Sequence, residues 1–372
     1  MGHTLIGVAF DLIIIGAGIV GAACAHAATK ADLRVALVEF GPIGGDATAA
    51  GMGHLVSLDD NPAEFALIRY SLSLWRELGC LAEAQFSACG TLWVAESSDE
   101  IALAAEKLAR LKSAGIAAEF LDTQSLYDAE FELAPGLAGG VLVPSDAVVY
   151  APCVARWLVK RACQYGAELF IGHKVIKLKN GGVLLDNGTS IVGSVLVTCG
   201  CNTPMLLPEM IIRPRKGHLV VTEQYPSFIR HQVVEMGYAT SAHGNADNSV
   251  ACNVQPRPNG QLLIGSSREF NKNDKIVSPV IVANMLMRAF HFLPKLRTLQ
   301  GIRIWTGFRP ATPDGLPYIG CVPDRRDIWI AAGHEGMGIT TSLGTAELLI
   351  DSFLGRVSAI DPKPYVPARI MQ

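Results

Sequence analysis

An α/β fold, α+β overall, is predicted by three stretches of this 372-residue chain. An apolar run, Leu12-Ile13-Ile14, enters the glycine-rich turn Ile15-Gly16-Ala17-Gly18-Ile19-Val20-Gly21 and then an alanine-rich helix over 22–28. Near the other end the same order returns, with a strand at 327–331, a glycine-rich turn at 333–338 and a helix at 339–354. Between them, residues 213–265 are rich in strand-forming residues and read as an antiparallel sheet. Apolar strands that feed helices belong to parallel sheets buried on both faces.

The first turn has the residues a dinucleotide needs. Gly16 permits the tight exit from the strand, Gly18 lets backbone approach a pyrophosphate, and Gly21 lets the helix pack closely. The helix N-terminus, at Ile19 and Val20, favours negative charge. A second strand, 35–38, ends in Glu39 followed by Phe40, roughly 20 residues past the turn, where a carboxylate accepts from ribose hydroxyls. That carboxylate repels a 2′-phosphate, which argues against an NADP-type cofactor. A purely structural glycine turn is the competing reading.

Further along, residues 44–53 form a loop of very small side chains, followed by a helix at 62–78, a strand at 90–95 and a charged helix at 101–114. A strand at 139–143 and an amphipathic helix at 152–165 come next. A meander follows at 173–178, 183–185 and 190–192, with Asn-Gly turns, then a separate buried strand over 194–199 that stops at Gly200. A helix spans 277–293. No repeat or low-complexity linker divides the chain, so the domains are expected to interleave. The cofactor domain takes 1–85, 145–212 and 300–372; the substrate domain takes 86–144 and 213–299.

Composition narrows the classes. Half the residues are hydrophobic and 17% are charged, with net charge -3, so no basic surface for nucleic acid is expected. The apolar content suggests a large core or subunit contacts. The nine cysteines are odd in number and form no Cys-x-x-Cys pair, which reads as reduced thiols, a cytoplasmic setting and no metal site. Residues 12–28 are too interrupted by glycine and His26 for a membrane span, and no signal peptide is visible.

Two features favour a flavin over nicotinamide. The turn Gly333-His334-Glu335-Gly336-Met337-Gly338-Ile339 starts a second helix, which can stabilise negative charge on a reduced flavin. The small residues at 44–53, including Thr48, Ala49, Ala50, Gly51 and Met52, let backbone lie along a flat ring. An NAD-linked dehydrogenase, or a subunit holding FAD without catalysis, are the alternatives.

With these pieces placed, nearly the whole chain resembles the D-amino-acid oxidase superfamily of FAD enzymes. The resemblance rests on the N-terminal turn, on Val195-Leu196-Val197-Thr198-Cys199-Gly200, and on the stretch from Gly307-Phe308-Arg309-Pro310 to Tyr318-Ile319-Gly320. It implies a Rossmann-like FAD-binding domain of the glutathione-reductase type, and cofactor contacts at the stretches above, at Val175, and at Gly307 and Arg309. Residues 47–54 and 260–268 are similar to one branch, the β subunits of opine (octopine or nopaline) oxidase, D-hydroxyproline dehydrogenase and hydrogen cyanide synthase. That likeness implies a partner α subunit binding a second dinucleotide, a small iron–sulfur subunit, and electrons leaving through them; FMN at a subunit interface is left open. One departure is Thr198-Cys199-Gly200-Cys201, where the superfamily usually has Ala-Gly-Ala.

The reaction expected is oxidation of an amine C–N bond beside a carboxylate, with hydride passing to flavin N5 and water hydrolysing the imine. Arg309 is the candidate carboxylate fork. His54 and His334 are candidates to border the ring or carry a proton, and Tyr238 to donate to a carboxylate, each against a purely structural role. No residue is marked as a general base. Glycine, D-amino-acid or sarcosine oxidation with oxygen is the alternative activity.

Overall fold

The structure, a computed structural model, describes residues 9–58, 60–78, 82–238, 248–270 and 272–370. Its first sheet is the dinucleotide frame. β1 (Ala9–Ile15) lies at its centre, parallel to β2 (Val35–Glu39) on one side and to β11 (Ser190–Val197) on the other. β8 (Glu168–Ile171) extends it beyond β2, and β18 (Arg325–Ala332) beyond β11, both parallel; β17 (Tyr318–Val322) closes the edge antiparallel to β18. The meander strands β9 (Val175–Lys179) and β10 (Gly182–Leu185) attach to the start of β11.

β1 is buried on both faces because its side chains alternate between two cores. Leu12 and Ile14 meet the helices α1 (Ile19–Lys30), α6 (Ala151–Gln164) and α8 (Gly338–Leu354). Ile13 and Ile15 meet the core that includes Val183, Val195, Val197 and Ile330. Among the described residues no helix is long and apolar enough to cross a membrane.

The second sheet runs β16-β12-β15-β14-β13-β4-β6-β5. In chain order these are β4 (Thr91–Ala95), β5 (Glu119–Leu121), β6 (Gly139–Val143), β12 (Arg213–Gln224), β13 (Gln232–Glu235), β14 (Asn248–Pro256), β15 (Gln261–Glu269) and β16 (Gly301–Ala311). All neighbours are antiparallel except β13 and β4, which are parallel. α7 (Pro279–Phe292) packs Met285, Ala289 and Phe292 against Val254, Leu262 and Ile264. α4 (Ser98–Ser113) and α5 (Thr123–Ala129) adjoin the β4–β6 end. β3 (His54–Leu55) pairs with β7 (Ala147–Val148), and α3 (Pro62–Leu78) packs on α8.

Beyond β5, α5, β8 and β17, which were not anticipated, three differences from the sequence expectation bear on the site. The strands expected at 190–192 and 194–199 are one, β11, which pairs with β10 over 190–192 and with β18 over 195–197 while β1 runs beside it from Val192 on; a Cβ on Gly193 would stand 2.5 Å from the Phe10 carbonyl oxygen. Thr198 and Cys199 lie beyond its end. Residues 46–50 form a short helix, α2 (Asp46–Ala50), capped by Gly45 and stopped at Gly51; the alanine-rich run between two glycines favours a helical turn over an open loop. β16 was not anticipated as a strand, and it pairs with β12 from Arg213↔Ala311 to Thr222↔Gly301 in the second sheet, whereas residues from 300 on were set with the first.

The glycine turn is closed by contacts with no room for a side chain. A Cβ on Gly21 would lie 1.9 Å from the Gly16 carbonyl oxygen and 2.5 Å from Thr198 Oγ1. Gly21→Ala must therefore displace the turn from the helix. It is expected to cost about 1–3 kcal/mol of stability and to lower FAD content, read by thermal unfolding and by flavin absorbance per protein.

Candidate active site

A cavity of about 1560 Å³ runs from the first glycine turn to the second. At one end Gly18 faces it, with Thr48 Oγ1 the nearest atom to any added Cβ, at 3.3 Å. Thr48 Oγ1 also accepts from the Ile19 N–H at 3.0 Å. Glu39 accepts from the Ala17 N–H at 2.5 Å and the Gly41 N–H at 2.6 Å, so its carboxylate is fixed at the end of β2. Thr198 Oγ1 lies 2.8 and 2.9 Å from the Ile15 and Gly16 carbonyl oxygens, clamping the turn to the end of β11. This cradle of small residues at the start of α1, with Glu39 fixed beside it, fits a dinucleotide.

Most expected contact residues line the cavity: Gly16, Gly18, Ile19, Val20, Glu39 and Phe40; Thr48, Ala50, Gly51 and Met52; Val175, Thr198, Cys199 and Gly200; Gly307, Arg309 and 333–339. Ala17, Gly21 and Ala49 do not: Ala17 and Gly21 are packed inside the turn, and Ala49 is on the exposed side of α2. Gly307 has a packing reason of its own, since a Cβ there would come 2.3 Å from Ala50 Cβ. Cys199 and Cys201 thiols are pushed up to about 12 by burial and then by the Glu39 and Asp46 charges respectively, which leaves them as inert thiols. No metal-binding group of His, Cys, Asp or Glu occurs among the described residues.

At the far end the second sheet meets the second turn. Arg215 and Arg309 stand directly opposite each other on β12 and β16, and Arg268 comes from β15. Glu335, in the turn after β18, pairs with Arg215 Nη1 at 2.9 Å and lies 3.8 Å from Arg268 Nε. Burial opposes its charge, but Arg268, Arg309 and Arg215 together hold the carboxyl down at about 2. Arg309 donates through Nη1 to the Ser267 carbonyl at 2.9 Å. Its guanidinium occupies the space that a side chain on Gly217 would fill, at 2.5 Å. Tyr238 Oη accepts from Arg268 at 3.2 Å and sits 3.3 Å from Ser266 Oγ; although burial raises it, Arg268 and Arg309 bring its phenol below the usual range. The sequence reading found Arg309, Tyr238 and Glu335, but missed Arg215 and Arg268 and gave Glu335 no ionic role. Arg268 closes the stretch 260–268, and the only signal for it was that position.

The two histidines differ in setting. His54 Nδ1 is 2.6 Å from Gln232 Oε1 and its Nε2 is 3.3 Å from Asn253 Nδ2, on the cavity wall. His334 is buried, with Nε2 3.0 Å from Thr345 Oγ1. Burial drives His54 to about 4 and His334 to about 3, so both imidazoles are neutral at neutral pH.

The match to known proteins agrees with this geometry. The FAD dependent oxidoreductase (DAO) family model covers residues 11–352. The chain belongs to that family. It is 29% identical over 380 residues to glycine oxidase of Pseudomonas aeruginosa, covering 96% of this chain and 98% of the relative. It is 26% identical over 415 residues to hydrogen cyanide synthase subunit HcnC of the same species, covering 97% and 96%. The crystal structure of glycine oxidase from Geobacillus kaustophilus superposes with TM-score 0.86 at 26% identity, covering 97% and 98%. The protein is an FAD-dependent oxidoreductase.

The buried histidine fixes an acid response. Unfolded imidazole titrates at 6.5 and folded His334 at about 3, so between those values the unfolded chain binds more protons and acidification favours unfolding. His334→Gln is expected to lose about 2 kcal/mol less stability than the wild type between pH 7 and pH 5, measured by denaturant unfolding at the two values.

Proposed function

We propose that this protein oxidises the C–N bond of an amino acid or carboxylated secondary amine, of which an opine or D-hydroxyproline is the favoured type. The observation that carries this reading is the Arg309 guanidinium in the cavity, backed by Arg215 and Arg268 against Glu335. Three guanidiniums around one carboxylate leave positive charge for a substrate carboxylate.

When bound, FAD supplies the hydride acceptor at N5. The chain's own groups do the rest. Arg309 holds the substrate carboxylate in a fork, which orients Cα. The start of α8, at Gly338 and Ile339, lines the cavity, where a helix N-terminus favours negative charge. Neutral His54 offers the wall hydrogen bonds without a competing charge. The imine product is hydrolysed by water.

The resemblance to heteromeric β subunits supports delivery of electrons to an α subunit and an iron–sulfur subunit, in the cytoplasm, with FMN at an interface as a further element of that arrangement. A second reading, an oxidase using oxygen on glycine, D-amino acids or sarcosine, is favoured by the glycine oxidase relatives.

The test is anaerobic mixing of the purified holoprotein with opines, D-hydroxyproline, proline, glycine and sarcosine. At least one is expected to bleach the flavin band near roughly 450 nm; bleaching by none sinks the reading. Oxygen consumption with the same amine separates oxidase from dehydrogenase. Arg309→Ala is expected to slow the bleaching about 10²–10³-fold, far more than it lowers FAD content. Equal loss of both would make Arg309 structural.

A further inference from the structure

One titratable group in this cavity has no place in the chemistry described so far. Glu64 lies in the first turn of α3, where Asn61 Oδ1 accepts from its backbone N–H at 3.2 Å. Its side chain lines the same cavity as Arg309, Arg268 and Tyr238. Among the described residues its carboxyl has neither a hydrogen-bond donor nor an ion-pair partner. The groups that face it are the carboxylates of Glu335, in the second turn, and Asp60, just before α3. Tyr365, from the chain's last segment, adds a phenol that stays neutral, pushed up to about 12. The charges of Arg268, Arg309 and Arg215 act on Glu335.

Two carboxyls of one cavity are thus driven apart. Glu335 is held ionised at about 2 by the guanidiniums. Burial, and after it the Glu335 and Asp60 charges, pushes Glu64 up to about 8. A separation of this kind assigns different tasks to chemically identical groups.

We propose that Glu64 is the base that takes the proton from the substrate's ammonium nitrogen. This rests on the amine-oxidase reading above. Amines reach the site as ammonium ions, and hydride cannot leave Cα until the nitrogen lone pair is free to form the imine. The Glu64 carboxylate oxygen forms a bond to the proton, the N–H bond breaks, and its electron pair stays on nitrogen. One ammonium and one carboxylate become one amine and one carboxylic acid, with no oxidant consumed. The same desolvation that disfavours the charged carboxylate disfavours the ammonium beside it, so the neutral pair is the better state in the closed site. Arg309 anchors the carboxylate end, and Glu64 receives the nitrogen end.

The test uses the holoprotein in two ways. In anaerobic stopped flow between pH 6.5 and 10, wild-type flavin reduction is expected to rise along a limb with apparent pKa near 8. Glu64→Gln should lose that limb and run about 10²–10⁴-fold slower at pH 8, while Glu64→Asp regains part of it. FAD absorbance of each variant reports the fold. An unchanged limb in Glu64→Gln overturns the proposal. Independently of turnover, calorimetry at pH 7 in two buffers of different ionisation enthalpy compares N,N,N-trimethylglycine with acetate. The fixed cation should ionise Glu64 and release about one proton in the wild type, and none in Glu64→Gln; acetate should release none in either. Equal proton release by wild type and variant, or a wild type that binds acetate and refuses trimethylglycine, overturns the proposal. If no amine reduces the flavin, the activity reading fails, and the calorimetric result still decides the role of Glu64.

Discussion

A single carboxylate, Glu335, largely shielded from solvent, joins the two sheets of this protein. It belongs to the turn that ends the parallel sheet, and its partners Arg215, Arg268 and Arg309 come from three strands of the antiparallel one. Arg215 and Arg309 are direct cross-strand neighbours, a like-charge pairing that a sheet does not tolerate unaided. Glu335 supplies the compensation, and buried charge requires it. Its backbone shows how tightly the position is determined: φ is +46°, in the left-handed region that disfavours a side chain. The Glu335 N–H reaches the Pro310 carbonyl at 2.9 Å, and its side chain accepts from the Gly336 N–H at 2.6 Å. A local cost of order 1–3 kcal/mol is held in place by these contacts. The result is that the start of α8 and the guanidinium cluster keep a constant relation across the cavity.

That relation explains how charge is distributed along the cavity. At the dinucleotide end the polarity comes from backbone N–H groups and Glu39; at the other end it comes from fixed guanidiniums. The histidines between or beside these ends contribute no charge at neutral pH, because burial keeps both imidazoles neutral. His54 is a hydrogen-bonding node for Gln232, Asn253 and Gln255, and its carbonyl accepts from Thr340 Oγ1 at 2.9 Å, which ties β3 to the first turn of α8. His334 is a packing residue of the second turn.

Local patterns were legible in the sequence where they are governed by local rules. The strand–turn–helix at 12–30, the helix at 62–78 and the strand at 139–143 all follow from periodicity and glycine placement. β16 was not legible. Its residues 301–311 alternate weakly, and the strand exists because β12 pairs with it along its length. Arg309 was readable from the Arg-Pro stretch, but Arg268 and Arg215 became visible only when β12, β15 and β16 were laid side by side. The ionic role of Glu335 depends on a contact over 120 residues of sequence, which no short motif encodes. Glu64 is the extreme case: its setting arises from desolvation and from like charges brought in by other elements.

Thr198 shows how one side chain can tighten such a site. The threonine hydroxyl lies within hydrogen-bond distance of the carbonyls of both Ile15 and Gly16. A methyl group could make neither contact. The hydroxyl fills the angle between β1 and β11, and it sits 2.5 Å from where a Gly21 Cβ would be. Gly16 is restricted by the same residue, since its own Cβ would come 2.8 Å from the Thr198 carbonyl oxygen. The glycines of the turn are thus required by more than the approach of a diphosphate: the end of β11 occupies the space any side chain would need. Backbone and hydroxyl of Thr198 together hold the turn in shape from within the protein itself.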